Sequence, residues 1–134
     1  MEKIAEFFEQ RDRFAAHCGI ELLEVGEGRA VARMPIGEQH LNGADTVHGG
    51  AIFTLADLAF AAASNSYGTL AMAINVSISY VKAAVGGTLT AEAEEASCSR
   101  RLGSYTIRIT DDDGDLVAIF QGMAYRKGNP LPLE

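Results

Sequence analysis

The chain has 134 residues, 48% of them hydrophobic and 22% charged, and its formal net charge is −7 at pH 7. These values are typical of one globular domain with its own core. The acidic excess argues against nucleic acid as the main partner, because phosphate binding needs a cationic face. No apolar run approaches the about 20 residues that span a membrane.

The first third of the chain predicts a helix and a hairpin. Its opening residues mix charged and apolar side chains, unlike a signal peptide, which favours a cytoplasmic location. Residues 2–17 have apolar side chains at helical spacing, the pattern of an amphipathic helix. Strands over 20–25 and 29–36 follow, joined by a Gly-Glu-Gly turn in which glycine supplies a positive φ. A polar loop over 37–47 comes next.

The middle of the chain predicts a buried helix that carries one acid. From Gly49 to about Asn65 the sequence is apolar on all sides, which is typical of a buried helix. Between Asp45 and Lys82 the only formally charged side chain is Asp57. A charge in such a segment is costly unless it is paired, hydrogen-bonded or protonated. Asp57 is therefore the first candidate for catalysis.

The remaining residues alternate between apolar and polar side chains, as strands with one buried face do. Four strands are predicted, and the last, over 116–125, is more uniformly apolar. We expect a four-strand antiparallel meander that joins the hairpin in one sheet of five or six strands. The tail over 127–134 contains two prolines and is predicted to be loosely ordered. The whole chain, 1–134, is interpreted as a single α+β domain.

Motifs in the central segment resemble those of the hotdog-fold acyl-CoA thioesterases, and more narrowly the phenylacetate-degradation subfamily. They are Leu41-Asn42-Gly43, His48-Gly49-Gly50, Phe53-x-Leu55-Ala56-Asp57 and Ser64-Asn65-Ser66. The resemblance implies a hotdog fold, in which a curled antiparallel sheet wraps the long buried helix. It also implies hydrolysis of acyl-CoA thioesters, with aryl-acetyl or medium-chain acyl groups, to free acid and CoA. In this family two protomers join their sheets edge to edge, and dimers often pair into tetramers.

The spacing of Gly49 and Asp57 predicts a site shared between two protomers. On a straight helix these residues lie about 12 Å apart, whereas a reacting group must approach its partner to within about 3–3.5 Å. One protomer therefore cannot easily place its helix N-terminus and its own Asp57 on the same thioester. Two antiparallel copies of the helix can. We expect a homodimer as the minimum active unit and a homotetramer as the full assembly.

Four residues receive catalytic roles. The Gly49 N–H, free at the helix start and aided by the helix dipole, is expected to bind the developing oxyanion of the thioester. Asp57 of the partner subunit acts as nucleophile or as general base toward water, and the sequence leaves both open. Asn42 resembles the family's polar residue that holds the carboxylate or the water. His48 is expected to orient the loop rather than to transfer a proton.

Substrate contacts are predicted in two places. The acyl group should lie between the two helices, beside Gly50 and against Phe53, Leu58 and Ala61. Cations at strand ends can gather at one rim of the sheet and bind the phosphates of CoA. The candidate cations are Lys82, Arg100, Arg101, Arg126 and Lys127.

Some relatives carry a hydroxyl residue near the start of the strand after the buried helix. In those relatives the hydroxyl assists the attacking water. Here that region reads Ala-Met-Ala-Ile-Asn over 71–75, so either Asn75 takes the place of the hydroxyl residue or this chain has no such residue. Cys18 and Cys98 match no metal-ligand spacing and no disulfide framework, and we expect neither a metal nor a cofactor.

Two other functions stay open. One is a non-catalytic acyl-CoA-binding module, which needs no acid on the helix, and the other is a hotdog hydratase or dehydratase acting on enoyl thioesters.

Overall fold

The computed structural model describes residues 1–133. The helices are α1 (Glu2–Arg11), α2 (Arg13–His17) and α3 (Gly49–Ser64), with a 3₁₀ turn over Glu38–His40. The strands are β1 (Glu21–Gly26), β2 (Arg29–Pro35), β3 (Thr69–Tyr80), β4 (Thr88–Cys98), β5 (Leu102–Thr110) and β6 (Leu116–Pro130). Within residues 1–133 no helix is long and apolar enough to cross a membrane.

All six strands form one antiparallel sheet in the order β1-β2-β4-β5-β6-β3. The expected sheet of five or six strands around a central helix is confirmed. The expected four-strand meander is wrong, because β3 pairs with β6 at the edge of the sheet and only β4, β5 and β6 follow one another. The segment 81–87 is not a tight turn. It carries the chain past two strands, about 14 Å, to reach β4.

Helix α3 fills the space that the curled sheet encloses. It packs across one face of the sheet against β2, β4 and β5, and its buried residues include Leu55, Ala56 and Ala59. Phe60 packs edge-on against Tyr105, with ring centroids 5.8 Å apart. A Cβ on Gly122 would lie 2.8 Å from the Phe60 ring, so a side chain at that position of β6 would displace the ring.

The predicted N-terminal helix is two helices, because Asp12 interrupts it. Asp12 has φ −84° and ψ 86°, outside the helical region, and its Oδ1 accepts a hydrogen bond from the Ala15 N–H at 3.0 Å. This is an N-cap, for which aspartate is strongly preferred. Ala15 is then buried against the core while Phe14 faces outward. The expectation of one continuous helix over 2–17 is corrected accordingly.

Strand β6 runs to Pro130, beyond the predicted end at residue 125. It continues because its last residues pair with the start of β3, Thr69 lying opposite Pro130. The segment 127–130 of the predicted tail is therefore strand, and Leu131 is buried. Glu134, the last residue of that predicted tail, lies outside the described residues.

Strand β3 is exposed on both faces over most of its length, although its sequence predicts one buried face. Its alternating apolar residues Met72, Ile74, Val76 and Tyr80 are all exposed. The reason is position: β3 is an edge strand, bonded only to β6 within residues 1–133. Its period-2 pattern predicted a strand correctly but could not show what covers it.

Candidate active site

The N-terminus of α3 leaves one backbone donor free. The N-cap residue His48 accepts a hydrogen bond from the Gly50 N–H on its Nδ1 at 2.8 Å. Its carbonyl oxygen accepts from the N–H groups of Ala51 and Ile52, at 2.9 and 3.2 Å. Within residues 1–133, the Gly49 N–H is the one donor of this first turn without an acceptor. Because free N–H groups and the helix dipole favour negative charge here, the site suits an oxyanion.

A hydrogen bond from Tyr80 connects Gly49 to the edge strand β3. The Tyr80 hydroxyl donates to the Gly49 carbonyl oxygen at 2.8 Å, and a Cβ on Gly49 would lie 3.1 Å from the Tyr80 ring. Burial raises the pKa of the Tyr80 hydroxyl, so it remains a donor at neutral pH. Nothing in the sequence distinguishes this residue, because a tyrosine at the end of an alternating strand reads like any other apolar position.

Asn42 organises the loop that precedes α3. Its Oδ1 accepts hydrogen bonds from the backbone N–H groups of Ala44 and Thr46, at 2.9 and 3.2 Å, and from the Thr46 hydroxyl at 3.2 Å. These contacts occupy the amide oxygen. Among the described residues the Asn42 Nδ2 has no acceptor, so this side chain can still donate to a carboxylate or a water.

His40 is a second histidine of this loop, and its role is structural. It is buried, and its Nδ1 accepts from the Gly37 N–H at 2.9 Å. The proton is therefore on Nε2, which donates to the Cys18 carbonyl at 2.7 Å. The His40 carbonyl in turn accepts from the His48 N–H at 2.7 Å. These bonds connect α2, the loop and the start of α3.

Asp57 lies in the middle of α3 without a bonding partner. It is half-buried, and no hydrogen bond or ion pair to its carboxylate occurs within residues 1–133. Burial raises the pKa of the Asp57 carboxyl, and the negative charge of Asp12 raises that pKa further. A structural aspartate would cap or hydrogen-bond a neighbour. Asp57 does neither, which leaves it available to a ligand.

Two cavities flank the α3 N-terminus. One, of about 420 Å³, is lined by Gly49 and Tyr80 and faces the β3 edge. The other, of about 510 Å³, is lined by His48, Gly50 and Phe14 and lies under α2. Both volumes are in the range of small-molecule sites, about 300–1,000 Å³.

The residues predicted to contact the acyl group are split between the surface and the core. Phe53 is half-buried and packs edge-on against Phe120, with centroids 5.2 Å apart. Ala61 is also half-buried, whereas Leu58 is only 3% exposed and belongs to the core. In one protomer, Gly50, Phe53 and Ala61 are therefore the accessible members of this set.

Four of the five predicted rim cations lie together. Arg100, Arg101, Arg126 and Lys127 line one cavity of about 340 Å³. Lys82 is elsewhere, because its backbone bonds to the start of β6 while Arg126 is near the end of that strand, about 30 Å away. The Lys82 ammonium lies between Asp111 and Asp115, at 2.7 and 2.8 Å, and these hydrogen bonds raise its pKa. The two carboxylates neutralise it.

Arg126 differs from the other three cations because its guanidinium is buried and has several partners, whereas Arg101 makes one exposed hydrogen bond, from its Nη1 to the Tyr125 hydroxyl at 3.0 Å. The Arg126 side chain is only 9% exposed. It donates to the Ser99 carbonyl at 3.2 Å and to the Tyr105 hydroxyl at 3.1 Å. The Glu95 carboxylate lies 3.8 Å away. Arg126 thus supports the cavity from inside, while Arg100, Arg101 and Lys127 are exposed at its rim.

Asn75 lies apart from the α3 N-terminus. It lines a separate cavity of about 250 Å³ with Ser77, Thr106 and Gln121. Since Phe120 points into the core, its neighbour Gln121 points to the opposite, outer face of the sheet. The bulge near Ala73 and Asn75 leaves the Asn75 side chain on this outer face. Within one protomer, nothing therefore supports the idea that Asn75 takes over the role of the relatives' hydroxyl residue.

The chain is similar to known proteins along its whole length. Residues 44–118 match the model of the Thioesterase superfamily. A relative from Archaeoglobus fulgidus is 40% identical over 133 residues, 98% of this chain and 86% of the relative. The acyl-coenzyme A thioesterase PaaI of Escherichia coli is 37% identical over 123 residues, 91% of this chain and 88% of that protein.

Solved structures give the same result. The E. coli PaaI protein, from the phenylacetic acid degradation operon, superposes with a TM-score of 0.91 at 36% identity, covering 96% of both chains. A single-residue mutant of the phenylacetic acid degradation protein PaaI from Thermus thermophilus superposes with a TM-score of 0.82 at 35% identity. That match covers 86% of this chain and 99% of the other.

Proposed function

This chain belongs to the thioesterase superfamily, as a hotdog-fold thioester hydrolase of the phenylacetate-degradation subfamily, and on that basis we propose that it hydrolyses acyl-CoA thioesters to the free acid and CoA. The substrates are aryl-acetyl or medium-chain acyl-CoAs. The observation that carries the proposal is the pair formed by Asp57, a carboxylate without a partner, and Gly49, whose N–H is free at the start of the same helix. The name of the E. coli relative supports the CoA ester as substrate.

In the proposed reaction, the Gly49 N–H binds the thioester carbonyl oxygen and stabilises the negative charge that develops on it. A single donor of this kind is worth about 10²–10³ in kcat. Asp57 either attacks the carbonyl carbon, giving a mixed anhydride that water then hydrolyses, or removes a proton from the attacking water. In both routes the C–S bond breaks and CoA leaves as its thiolate, which then takes a proton. The Asn42 Nδ2 holds the Asp57 carboxylate or the water.

The site is formed by two protomers joined along β3. This edge strand has 12 residues, about 40 Å of length. Its exposed row of apolar side chains is an aggregation hazard unless something covers it. A second copy of the same strand, related by a two-fold axis, covers it symmetrically. Gly49 of one protomer then works with Asp57 of the partner subunit. Pairing of two dimers into a homotetramer remains a prediction, which sedimentation would test.

The same pairing supports a binding mode for CoA. When two β3 strands pair antiparallel about their centres, the Tyr80 end of one lies beside the Thr69 end of the other. The cavity of one protomer that is lined by Gly49 and Tyr80 therefore adjoins the partner's cavity that is lined by the arginines and Lys127. There Arg100, Arg101 and Lys127 of the partner subunit bind the phosphates of CoA, which explains local cations on a chain of net charge −7.

A panel of acyl-CoAs with detection of free thiol tests the function. We expect thiol release by the wild type and none by Asp57→Ala. Binding of acyl-CoA without thiol release from any substrate would indicate the non-catalytic module instead. Consumption of enoyl-CoA with no thiol release would indicate the hydratase. Retained hydrolysis in purified Asp57→Ala would contradict the role of Asp57 while leaving the thioesterase function standing.

A further inference from the structure

We infer that the acyl group is selected by the cavity beneath α2, with Phe14 as its aromatic wall. This inference rests on the proposed thioesterase function and adds the residue that sets its substrate range. The cavity has a volume of about 510 Å³ and opens beside the first turn of α3. Its lining includes Phe14, Leu41, His48, Ala51 and Thr54.

The position of the free N–H determines which groups enter which cavity. A thioester held by the Gly49 N–H has two substituents on its carbonyl carbon, the acyl chain and the sulfur of CoA. The residues on either side of Gly49, His48 and Gly50, line the α2 cavity. Gly49 itself lines the cavity toward Tyr80 and the β3 edge. Since the CoA phosphates are expected beyond that edge, the acyl group extends the other way, beneath α2. This placement replaces the one expected from the sequence, because Phe53, Leu58 and Ala61 do not line this cavity.

Phe14 is exposed although it is apolar. Its residue exposure is 64%, whereas its neighbour Ala15 is 1% exposed and anchors α2 in the core. The helix is held at both ends, by the Asp12 cap at its start and by the bond from His40 to the Cys18 carbonyl at its end. An exposed aromatic ring on a fixed frame at the mouth of a cavity is suited to apolar ligands.

Helix α2 also lies outside the part of the chain that matches the superfamily. That match begins at residue 44 and therefore contains Gly49 and Asp57 but not Phe14. The two groups that act on the thioester carbonyl thus lie in the matched segment, whereas Phe14, like Asn42, precedes it.

The aromatic wall favours an aryl-acetyl group over a short aliphatic one. Stacked or edge-on aromatic pairs gain free energy beyond the apolar area they bury. Loss of the ring also exposes apolar surface of the bound acyl group to water. We expect Phe14→Ala to lower kcat/KM for phenylacetyl-CoA about 10- to 100-fold more than kcat/KM for the shortest acyl-CoA that the wild type hydrolyses.

The experiment compares Phe14→Ala with Leu23→Ala, a control on β1 whose residue is 47% exposed and does not line the cavity. The control should retain wild-type kcat/KM for both substrates. The inhibition constant of phenylacetate as product should rise in Phe14→Ala, which reports on the cavity independently of turnover. Circular dichroism checks that both variants fold.

An equal loss on both substrates, or an unchanged ratio with unchanged inhibition by phenylacetate, would overturn the inference. In either case the wild-type rates would still stand as evidence for a thioesterase. A wild type that hydrolyses no acyl-CoA would instead refute the proposed function, and the inference would fall with it. The two failures are therefore distinguishable.

Discussion

Replacing Ile74 by aspartate should separate the protomers and abolish hydrolysis. Ile74 is near the centre of β3 and 57% exposed in one protomer. Full burial of such a side chain is worth about 1.5–3 kcal/mol, so burying the exposed part gains about 1.3 kcal/mol. The two-fold axis doubles this gain to about 2.5 kcal/mol, roughly a 70-fold change in the dimer dissociation constant. Two carboxylates facing each other near the axis increase the effect.

Analytical ultracentrifugation and thiol release measured on the same sample test this prediction. We expect a monomer with a wild-type circular dichroism spectrum and no hydrolysis. Leu23→Asp is the matched control, because Leu23 is an exposed residue of β1, the opposite edge strand of the same sheet. It should leave both dimer and activity intact. A folded monomer that hydrolyses at the wild-type rate would refute the shared site.

Three further predictions concern single residues. Asp57→Asn should abolish turnover while acyl-CoA still binds. Because the raised pKa of Asp57 makes its ionisation destabilising, the variant should also have a higher melting temperature than the wild type at pH 7. This difference in melting temperature should vanish at a pH below the carboxylate's ordinary pKa of about 4. Tyr80→Phe, which keeps the ring, should lower kcat several-fold with KM nearly constant, whereas Tyr67→Phe at the other end of the molecule should not. Arg100→Gln and Lys127→Gln should raise KM for acyl-CoA but not for an acyl-pantetheine, which lacks the nucleotide; equal effects on both would contradict phosphate binding.

The sequence was sufficient for the features that depend on local pattern. A single acid in an apolar helix identified Asp57 as a candidate, and the structure finds it without a partner among residues 1–133. The His-Gly-Gly start predicted the free N–H of Gly49. The sheet itself followed from period-2 alternation, because that pattern depends only on which residues can face a core.

Features that depend on distant pairing were not accessible in this way. The position of β3 beside β6 depends on long-range hydrogen bonds, and the alternation of β3 is the same in any position. Lys82 is neutralised by Asp111, a residue of the β5–β6 turn that it approaches only when β3 pairs with β6. The break at Asp12 did carry a local signal, since aspartate is a strong N-cap, but helical periodicity continues through it.

The most direct test of the shared site uses mixed dimers of two inactive chains. Gly49→Pro removes the oxyanion N–H at the first helical position, where proline is well tolerated, and His48 before it already has the extended backbone that proline requires. Gly49→Ala is the control, because it places a similar Cβ against Tyr80 but keeps the N–H. It should retain far more activity than Gly49→Pro.

Dimers of one Gly49→Pro chain and one Asp57→Asn chain are isolated through two different affinity tags. Because each site combines Gly49 of one chain with Asp57 of the other, both substitutions fall in one site and the other site is complete. We predict about half of the wild-type activity per dimer, from components that are each inactive alone. Verified mixed dimers with no activity would show that Gly49 and Asp57 must come from the same chain, and would contradict the shared site.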